Sequence, residues 1–192
     1  ISFLFLLLYR LGEAQLAKLA APFLLDSVDV GGLGVSTENV GLIKGTIGVV
    51  ALLAGGILGG IVVAKNGLKT WLWPMALLMN LPNLIYVYFA YVQPQSLWII
   101  ASGVAFEQFG YGFGFTAFTL YLIFMSQGEF KTAHYAIGTG IMALGMMLPG
   151  MFAGSVQESI GYGPFFIWVC LCTIPGFILL RFLKIDNEFG KK

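Results

Sequence analysis

The chain has 192 residues, of which 58% are hydrophobic and only 10% are charged, whereas soluble domains carry about 25% charged residues. A soluble domain of this length cannot bury so much apolar surface, and a net charge of +1 without a basic run offers nothing to nucleic acid. We therefore expect a protein embedded in a lipid bilayer, with no nucleic-acid partner.

Six stretches are long and apolar enough for membrane-spanning helices, which need about 20 apolar residues each. They lie near residues 2–26, 39–64, 72–92, 97–125, 132–157 and 164–183. The connectors between them are short and contain turn-forming residues, so consecutive helices should be antiparallel neighbours. The predicted fold class is an all-α membrane protein, in which residues 1–192 form a single unit of six transmembrane helices.

Charged residues at the ends of these stretches predict the orientation. With six spans, both termini lie on the same side of the membrane. The basic residues of that side are Lys65, Lys69, Lys131, Arg181, Lys184, Lys191 and Lys192. The opposite loops carry no Lys or Arg, and their acidic residues are Asp26, Asp29, Glu38 and Glu158. The positive-inside rule then places both termini in the cytoplasm.

The two halves of the chain resemble each other, which predicts an internal repeat. A shift of 94 positions superimposes Glu13 on Glu107. The same shift aligns three glycine pairs, Gly56 with Gly150, Gly60 with Gly154 and Gly67 with Gly161. The repeats would cover about residues 1–93 and 94–186, and three spans in each would invert the second copy. A chance alignment in a glycine-rich sequence is the alternative.

Ionisable side chains inside the predicted spans are the main candidates for a functional site. Each costs about 2.5–3.5 kcal/mol at the membrane centre, so it usually faces a partner or a cavity. These residues are Arg10, Glu13, Lys18, Lys44 and Glu107. Arg10 and Glu13 are three residues apart and can pair on one helix surface. The two open interpretations are a structural ion pair, or binding of substrate or protons together with Lys18.

Both glutamates lie near the middle of their predicted spans, roughly 15–16 Å from the membrane entry. Glu107 shares a helix face with Gly103, Gly110 and Gly114. That face should approach another helix closely, so Glu107 should point into the bundle. A buried carboxyl group can carry a proton, which favours proton coupling. A structural hydrogen bond is the alternative.

Further residues are secondary candidates. Gln108 adjoins Glu107, and Tyr111 and Tyr121 are candidates for lining a cavity. Lys44 lies about one turn inside the external end of its span, where it either reaches the headgroups or guards an entrance. The sequence contains no metal-ligand pattern and no catalytic pair, so we predict no metal, no cofactor and no enzymatic activity.

Glycine and proline predict how the helices pack and bend. A stripe of small residues on the second span predicts close helix packing, and it comprises Gly41, Gly45, Gly48, Gly55 and Gly59. Pro82, flanked by Asn80 and Asn83, predicts a kink whose freed backbone groups bind polar side chains. Pro149 and Pro175 predict similar flexible points.

The segment after the second span resembles a signature loop of the major facilitator superfamily. In this sequence the matching positions are Gly60, Lys65, Gly67 and Lys69, and Ala64 stands where an acidic residue is common. The resemblance implies a gating loop, and Ala64 weakens the case for a charge relay within it.

A broader resemblance covers nearly the whole chain. The segments that carry it are Tyr9–Glu13, Ala21–Asp26, Ala105–Phe118, Ala133–Ala136 and the run Ala-Gly-Ser-Val from residue 153. They are similar to the C-terminal half of AmpG-type muropeptide permeases, which are members of the major facilitator superfamily. The resemblance implies helices 7–12 of a twelve-helix transporter, and hence a missing N-terminal six-helix half.

The same resemblance implies a function. It implies proton-driven import of cell-wall muropeptides across the bacterial inner membrane by alternating access. An anionic substrate would suit the cations Arg10 and Lys18, because arginine binds carboxylates in a bidentate manner.

The chain begins with Ile1 rather than Met, so we expect a fragment of a longer protein. The alternatives are a major facilitator transporter of another anionic solute, or a membrane scaffold that transports nothing.

Overall fold

The computed structural model describes residues 1–191, so Lys192, one of the basic residues predicted to be cytoplasmic, lies outside the described residues. All regular secondary structure in this range is helical. The helices are α1 (Ser2–Leu8), α2 (Leu11–Leu25), α3 (Thr37–Asn66), α4 (Leu68–Val92), α5 (Leu97–Met125), α6 (Lys131–Ile160) and α7 (Tyr162–Leu180). A short 3-10 turn, Val28–Val30, lies between α2 and α3.

Four of these helices, α3, α4, α6 and α7, are long and apolar enough to cross a membrane. They coincide with four of the six predicted spans. The predicted span 97–125 is also one continuous helix, α5, although glycines and the Glu107-Gln108 pair make its middle less apolar. The prediction of an all-helical chain with membrane-spanning helices is confirmed, and the count of six spans stays a prediction.

The remaining predicted span, residues 2–26, is not a single helix. Tyr9 and Arg10 separate α1 from α2, and Arg10 has a non-helical backbone conformation with φ −103° and ψ 15°. No proline lies at this junction. Both side chains are buried, so the break is associated with tertiary contacts and not with a helix-breaking residue.

The predicted kink at Pro82 is present, because α4 consists of two segments, Leu68–Asn80 and Asn83–Val92. The predicted polar repair is only half realised. The Asn80 side chain donates to the backbone carbonyl of Ala76 at 2.9 Å. Neither side-chain atom of Asn83 has a hydrogen-bond partner among the described residues, although the side chain is only 1% exposed.

The other two predicted flexible points behave differently from each other. Helix α7 is interrupted two residues before Pro175, between its segments Tyr162–Leu171 and Ile174–Leu180. Helix α6 continues without interruption through Pro149, which lies inside Lys131–Ile160. The expectation of a flexible point at Pro149 therefore has no counterpart in the helix boundaries.

Helix α5 contacts its neighbours through glycine backbone. A Cβ atom added to Gly110 would lie 2.1 Å from the carbonyl oxygen of Leu78 in α4. One added to Gly114 would lie 2.6 Å from the carbonyl oxygen of Met75, also in α4. The glycine face that contains Glu107 therefore meets another helix closely, as predicted.

The predicted small-residue stripe on α3 is only partly correct. Gly55 and Gly59 pack against α5, and a Cβ atom on Gly55 would lie 2.1 Å from the carbonyl oxygen of Phe109. Gly41 and Gly45 have no such neighbour within 4 Å. The stretch Gly41–Gly48 is π-helical, which rotates the residues before it relative to those after it. The stripe therefore does not continue along a single face.

Two hydrophobic clusters occupy opposite ends of the helices. One is built around Phe23, Tyr86 and Phe166, and the other around Phe5 and Phe118. The buried polar residues between them, which we call the polar layer, are Arg10, Glu13, Gln15, Asn80, Asn83, Glu107 and Thr173. Along every helix that contributes, these residues separate one apolar cluster from the other, so the polar layer lies in the middle of the bundle.

Candidate functional site

Arg10 is held by aromatic residues of α5. Its side chain is 5% exposed, and Nη2 donates a hydrogen bond to the hydroxyl of Tyr111. The guanidinium carbon lies 4.8 Å from the ring centroid of Phe115 and 5.3 Å from that of Tyr111, within the range of a cation–π interaction. Arg10 is therefore fixed by contacts between α5 and the break that precedes α2.

The ion pair expected between Arg10 and Glu13 is not formed. Within residues 1–191 the one salt bridge lies near the C-terminal end of the chain. The i,i+3 spacing brings side chains together only on a continuous helix surface. Arg10 lies in the break before α2, so this geometry does not apply to it.

Glu13 is buried without a complete set of hydrogen bonds. Its side chain is 3% exposed, and Oε2 has no hydrogen-bond partner in the described part of the chain. The adjacent Gly12 allows α2 to approach α7, since a Cβ atom there would lie 2.6 Å from the carbonyl oxygen of Val169. A buried oxygen without a donor is costly, which marks this carboxyl group as a position for a proton or a polar ligand.

Glu107 has two side-chain donors. Gln108 Nε2 donates to Oε2 at 2.9 Å and to Oε1 at 3.2 Å. The hydroxyl of Tyr86 lies 3.5 Å from Oε2, which makes a long hydrogen bond. The carboxyl group is 3% exposed and points into the bundle, as the sequence predicted.

Lys44 is associated with the polar layer. It is half-buried, and it lies within electrostatic range of both Glu13 and Glu107. It belongs to the π-helical stretch Gly41–Gly48 of α3, a local geometry that is frequent at functional sites. Gly48, one turn after Lys44, packs against Gln108, so Lys44 lies on the side of α3 that faces Glu107, without a salt bridge to either glutamate among the described residues.

Lys18 does not join the other charged residues of its helix. It is exposed and lies against α6, where its Cγ and Cε would be 3.2 Å from a Cβ atom on Gly150. Five residues separate Lys18 from Glu13, which corresponds to about 140° of rotation around a helix. Lys18 therefore lies apart from Glu13, and its role in binding substrate together with Arg10 stays a prediction.

Tyr121 is part of the packing between α5 and α1. Its hydroxyl donates to Ser2 Oγ at 2.9 Å, and its ring lies edge-on to that of Phe5 at 5.1 Å. The side chain is only 2% exposed. Within this chain α1 covers Tyr121, and its role in lining a cavity stays a prediction.

The predicted gating loop is reduced to one linking residue. Gly67 joins α3 to α4 with φ 85° and ψ 155°, which favours glycine. Lys65 and Lys69 are exposed on either side of Gly67. Gly60 lies within α3, and a Cβ atom added there would meet no atom of another residue within 4 Å. The backbone N–H after Gly67 donates to the carbonyl of Phe189 at 2.9 Å, so the C-terminal segment covers the link.

The sequence reasoning missed the contribution of α4 to the site. Tyr86 contacts Glu107 and lies within electrostatic range of Glu13. The sequence marks Asn83 only as a kink residue, and it gives no prediction for Tyr86. Their spacing of three residues places two polar side chains on one face of an apolar helix, and this is the signal that could have identified them.

The arrangement is suited to exchanging charge inside a membrane. Arg10 and Lys44 carry two positive charges, and Glu13 and Glu107 carry two negative charges when ionised. A proton bound by either glutamate would leave this group with a net positive charge. Since unbalanced charge is costly in hydrocarbon, an anionic ligand could then restore the balance.

Comparison with known proteins gives relatives over nearly the whole chain, although no protein-family model matches it. The chain is 28% identical over 188 residues to the anhydromuropeptide permease of Escherichia coli strain K12, covering 98% of this chain and 37% of the permease. It is 25% identical over 176 residues to the putative transporter AmpG 4 of Rickettsia felis, covering 92% of this chain and 41% of that protein.

An uncharacterised protein of Haemophilus influenzae is also similar, with 26% identity over 195 residues, 96% of this chain and 44% of that protein. The chain thus spans about two fifths of the length of the curated relatives it matches. Those with functional names are called permeases or transporters and not enzymes, in agreement with the prediction of no enzymatic activity. The structure and the relatives together indicate a multi-pass membrane protein. The chain matches AmpG-type permeases across nearly its whole length, which confirms the resemblance found in the sequence.

Proposed function

We propose that this chain is the C-terminal six-helix half of a proton-coupled importer of cell-wall muropeptides in the bacterial inner membrane. The observation that carries the proposal is the polar layer, which places Glu13 and Glu107 inside a bundle of membrane-spanning helices. The similarity to a protein named anhydromuropeptide permease supports the choice of substrate.

The packing of the helices supports a three-plus-three repeat within this half. The repeat relates the first segment (α1 and α2) to α5, α3 to α6, and α4 to α7. The contacts of α3 with α5 then correspond to those of α6 with the first segment. The contacts of α4 with α5 likewise correspond to those of α7 with the first segment.

The two helix links support the same repeat. Gly67 joins α3 to α4 with φ 85° and ψ 155°, and Gly161 joins α6 to α7 with φ 80° and ψ 170°. These glycines are 94 positions apart, the same shift that relates Glu13 to Glu107. Such inverted repeats are characteristic of the halves of major facilitator transporters.

Within this proposal, the two glutamates bind and release the coupling proton. Glu13 has a carboxyl oxygen free of hydrogen bonds, whereas Glu107 is held by Gln108 and Tyr86. Arg10 is engaged with Tyr111 and supplies a fixed positive charge within the same polar layer. The breaks in α4 and α7 give the bundle bending points for alternating access.

The remaining parts of the proposal concern the surroundings of the chain. Large apolar side chains are exposed on α3 and α6, among them Ile57 at 64% and Met151 at 69%. Apolar surface of this kind fits contact with lipid or with an N-terminal six-helix half. The basic residues of the predicted inner side support a cytoplasmic location for both termini.

The test is uptake by the full-length polypeptide in proteoliposomes, using a labelled anhydromuropeptide. We expect uptake driven by an inward proton gradient, and we expect Glu107→Gln to abolish it while preserving solute counterflow without a gradient. Glu158→Gln is the matched control, because Glu158 is an exposed acidic residue near the C-terminal end of α6.

Two results would contradict separate parts of the proposal. Unchanged gradient-driven uptake by Glu107→Gln would remove this glutamate from proton coupling. Counterflow of another anionic solute, with none of the muropeptide, would establish a transporter with a different substrate. A scaffold protein would show neither uptake nor counterflow.

A further inference from the structure

A groove outside the polar layer runs between α2 and α6. It has a volume of about 550 Å³, and its lining residues are Ala14, Ala17, Lys18, Met146, Met147, Gly150 and Met151. Apart from one lysine, the lining is alanine, methionine and glycine. The groove therefore combines a single positive charge with an adaptable apolar wall, since methionine side chains adjust readily to different shapes.

Lys18 is the embedded cation that is open to a ligand. Arg10 is buried and bonded to Tyr111, and Lys44 is half-buried near the two glutamates. Lys18 is exposed, and it forms no salt bridge with any described residue. An ammonium group inside a membrane protein requires a counter-charge or water, and an anion in the groove would supply the counter-charge.

Gly150 makes the position of Lys18 possible. The lysine stem lies across this glycine, whose missing Cβ atom would be 3.2 Å from both Cγ and Cε. The lysine stem therefore lies along the wall of α6 that also carries the lining methionines. A side chain at residue 150 would push the lysine stem outwards by a few tenths of an ångström.

The depth of Lys18 argues against a lipid phosphate as the anion. Seven residues separate it from Leu25 at the end of α2, or roughly 10 Å along the helix axis. Lipid phosphates lie at the surface of a hydrocarbon core about 30 Å thick. A dissolved molecule in a transport pathway can reach this depth, whereas a lipid headgroup has to leave its layer.

We infer that this groove binds the carboxylate of an amphipathic solute, with Lys18 pairing the carboxylate and the methionines covering an apolar part. The inference rests on the proposed function, because it assumes a solute pathway. To that function it adds a binding site and a class of ligand. It also separates the two tasks, because solute binding lies at Lys18 and proton binding lies in the polar layer.

The test compares carboxylate and amide ligands on the full-length protein in nanodiscs. The probes are an anhydromuropeptide and an N-acetylated apolar dipeptide, each with its carboxylates free or converted to amides. We expect Lys18→Met to weaken binding of the free carboxylates about tenfold or more, since a charged hydrogen bond is lost. Binding of the amides should change less than twofold.

Matched variants separate a binding role from a structural one. Lys18→Arg should retain most of the affinity, because it keeps the positive charge. Lys184→Met removes an exposed lysine outside the groove and should change nothing. Gly150→Ala should weaken binding of the carboxylates more than binding of the amides, because the new methyl group displaces the lysine stem.

The outcomes distinguish this inference from the proposed function. The inference would be overturned if Lys18→Met weakened binding of carboxylates and amides equally, or weakened binding of neither. Two further results would also overturn it: the wild-type protein binds none of the probes, or anionic lipid alone occupies Lys18. Muropeptide uptake that is indifferent to Lys18→Met would leave the proposed function standing without this site. Selective binding of the dipeptide carboxylate would support the site and contradict the muropeptide assignment.

Discussion

The contact between α3 and α5 predicts a large effect from adding one methyl group. In Gly55→Ala the new Cβ atom would lie 2.1 Å from the carbonyl oxygen of Phe109 and 3.0 Å from the backbone nitrogen of Phe113. Non-bonded atoms prefer about 3.5 Å, so the helices must separate by on the order of 1 Å. Because the opposing atoms belong to the backbone, no side-chain rotation relieves the clash.

The expected cost follows from two opposing effects. Overpacking of this kind costs about 1–3 kcal/mol, and alanine gains about 1 kcal/mol over glycine in a helix. Gly60→Ala, on the same helix, meets nothing within 4 Å and should gain only the second effect. The two variants should therefore differ by about 1–3 kcal/mol in free energy of unfolding, with Gly55→Ala the less stable.

The assay is thermal or denaturant unfolding of the full-length protein in detergent, with both variants measured beside the wild type. Because α5 carries Glu107, Gly55→Ala should also reduce uptake. Equal stability of the two variants would refute the close backbone contact between α3 and α5, and with it the packing that positions Glu107.

Three further predictions concern the polar layer and the helix links. Tyr111→Phe should destabilise the protein by about 1.5–3 kcal/mol, because the buried Arg10 loses a hydrogen-bond partner; an unchanged unfolding midpoint would count against that contact. Gly67→Ala and Gly161→Ala should each cost about 1–3 kcal/mol, because both positions combine a positive φ with an extended ψ, a conformation found almost only in glycine; a stabilising effect of either would contradict the backbone conformation. Asn83→Leu should leave stability unchanged or raise it, since it removes two buried polar atoms without partners, and yet should slow uptake; a clear loss of stability would indicate bonding partners for Asn83.

Four helices, α3, α4, α6 and α7, were largely predictable because each is long and apolar enough to cross a membrane. Stretches near 39–64 and 132–157 match α3 and α6 to within a few residues. The break at Tyr9 and Arg10 was not predictable. No proline marks it, and the residue that binds Arg10 lies 101 positions away in the chain.

The candidate site was predictable in its charged residues and not in its geometry. Glu13 and Glu107 are conspicuous as carboxylates within apolar helices, and both are buried in the polar layer. The directions of Lys18 and Tyr121 were not available from the sequence. When a helix is apolar around its whole circumference, periodicity does not indicate which face meets which neighbour.

The partnership between Arg10 and Tyr111 has a consequence for how the protein enters the membrane. Residues 2–26 contain Arg10, Glu13 and Lys18, each of which costs a few kcal/mol at the centre of an inserting helix. At 5–20 residues per second, the ribosome adds Tyr111 about 5–20 s after Arg10. On the proposed topology, the first segment must stay beside the translocation channel until α5 emerges, and synthesis arrested before α5 would leave that segment uninserted.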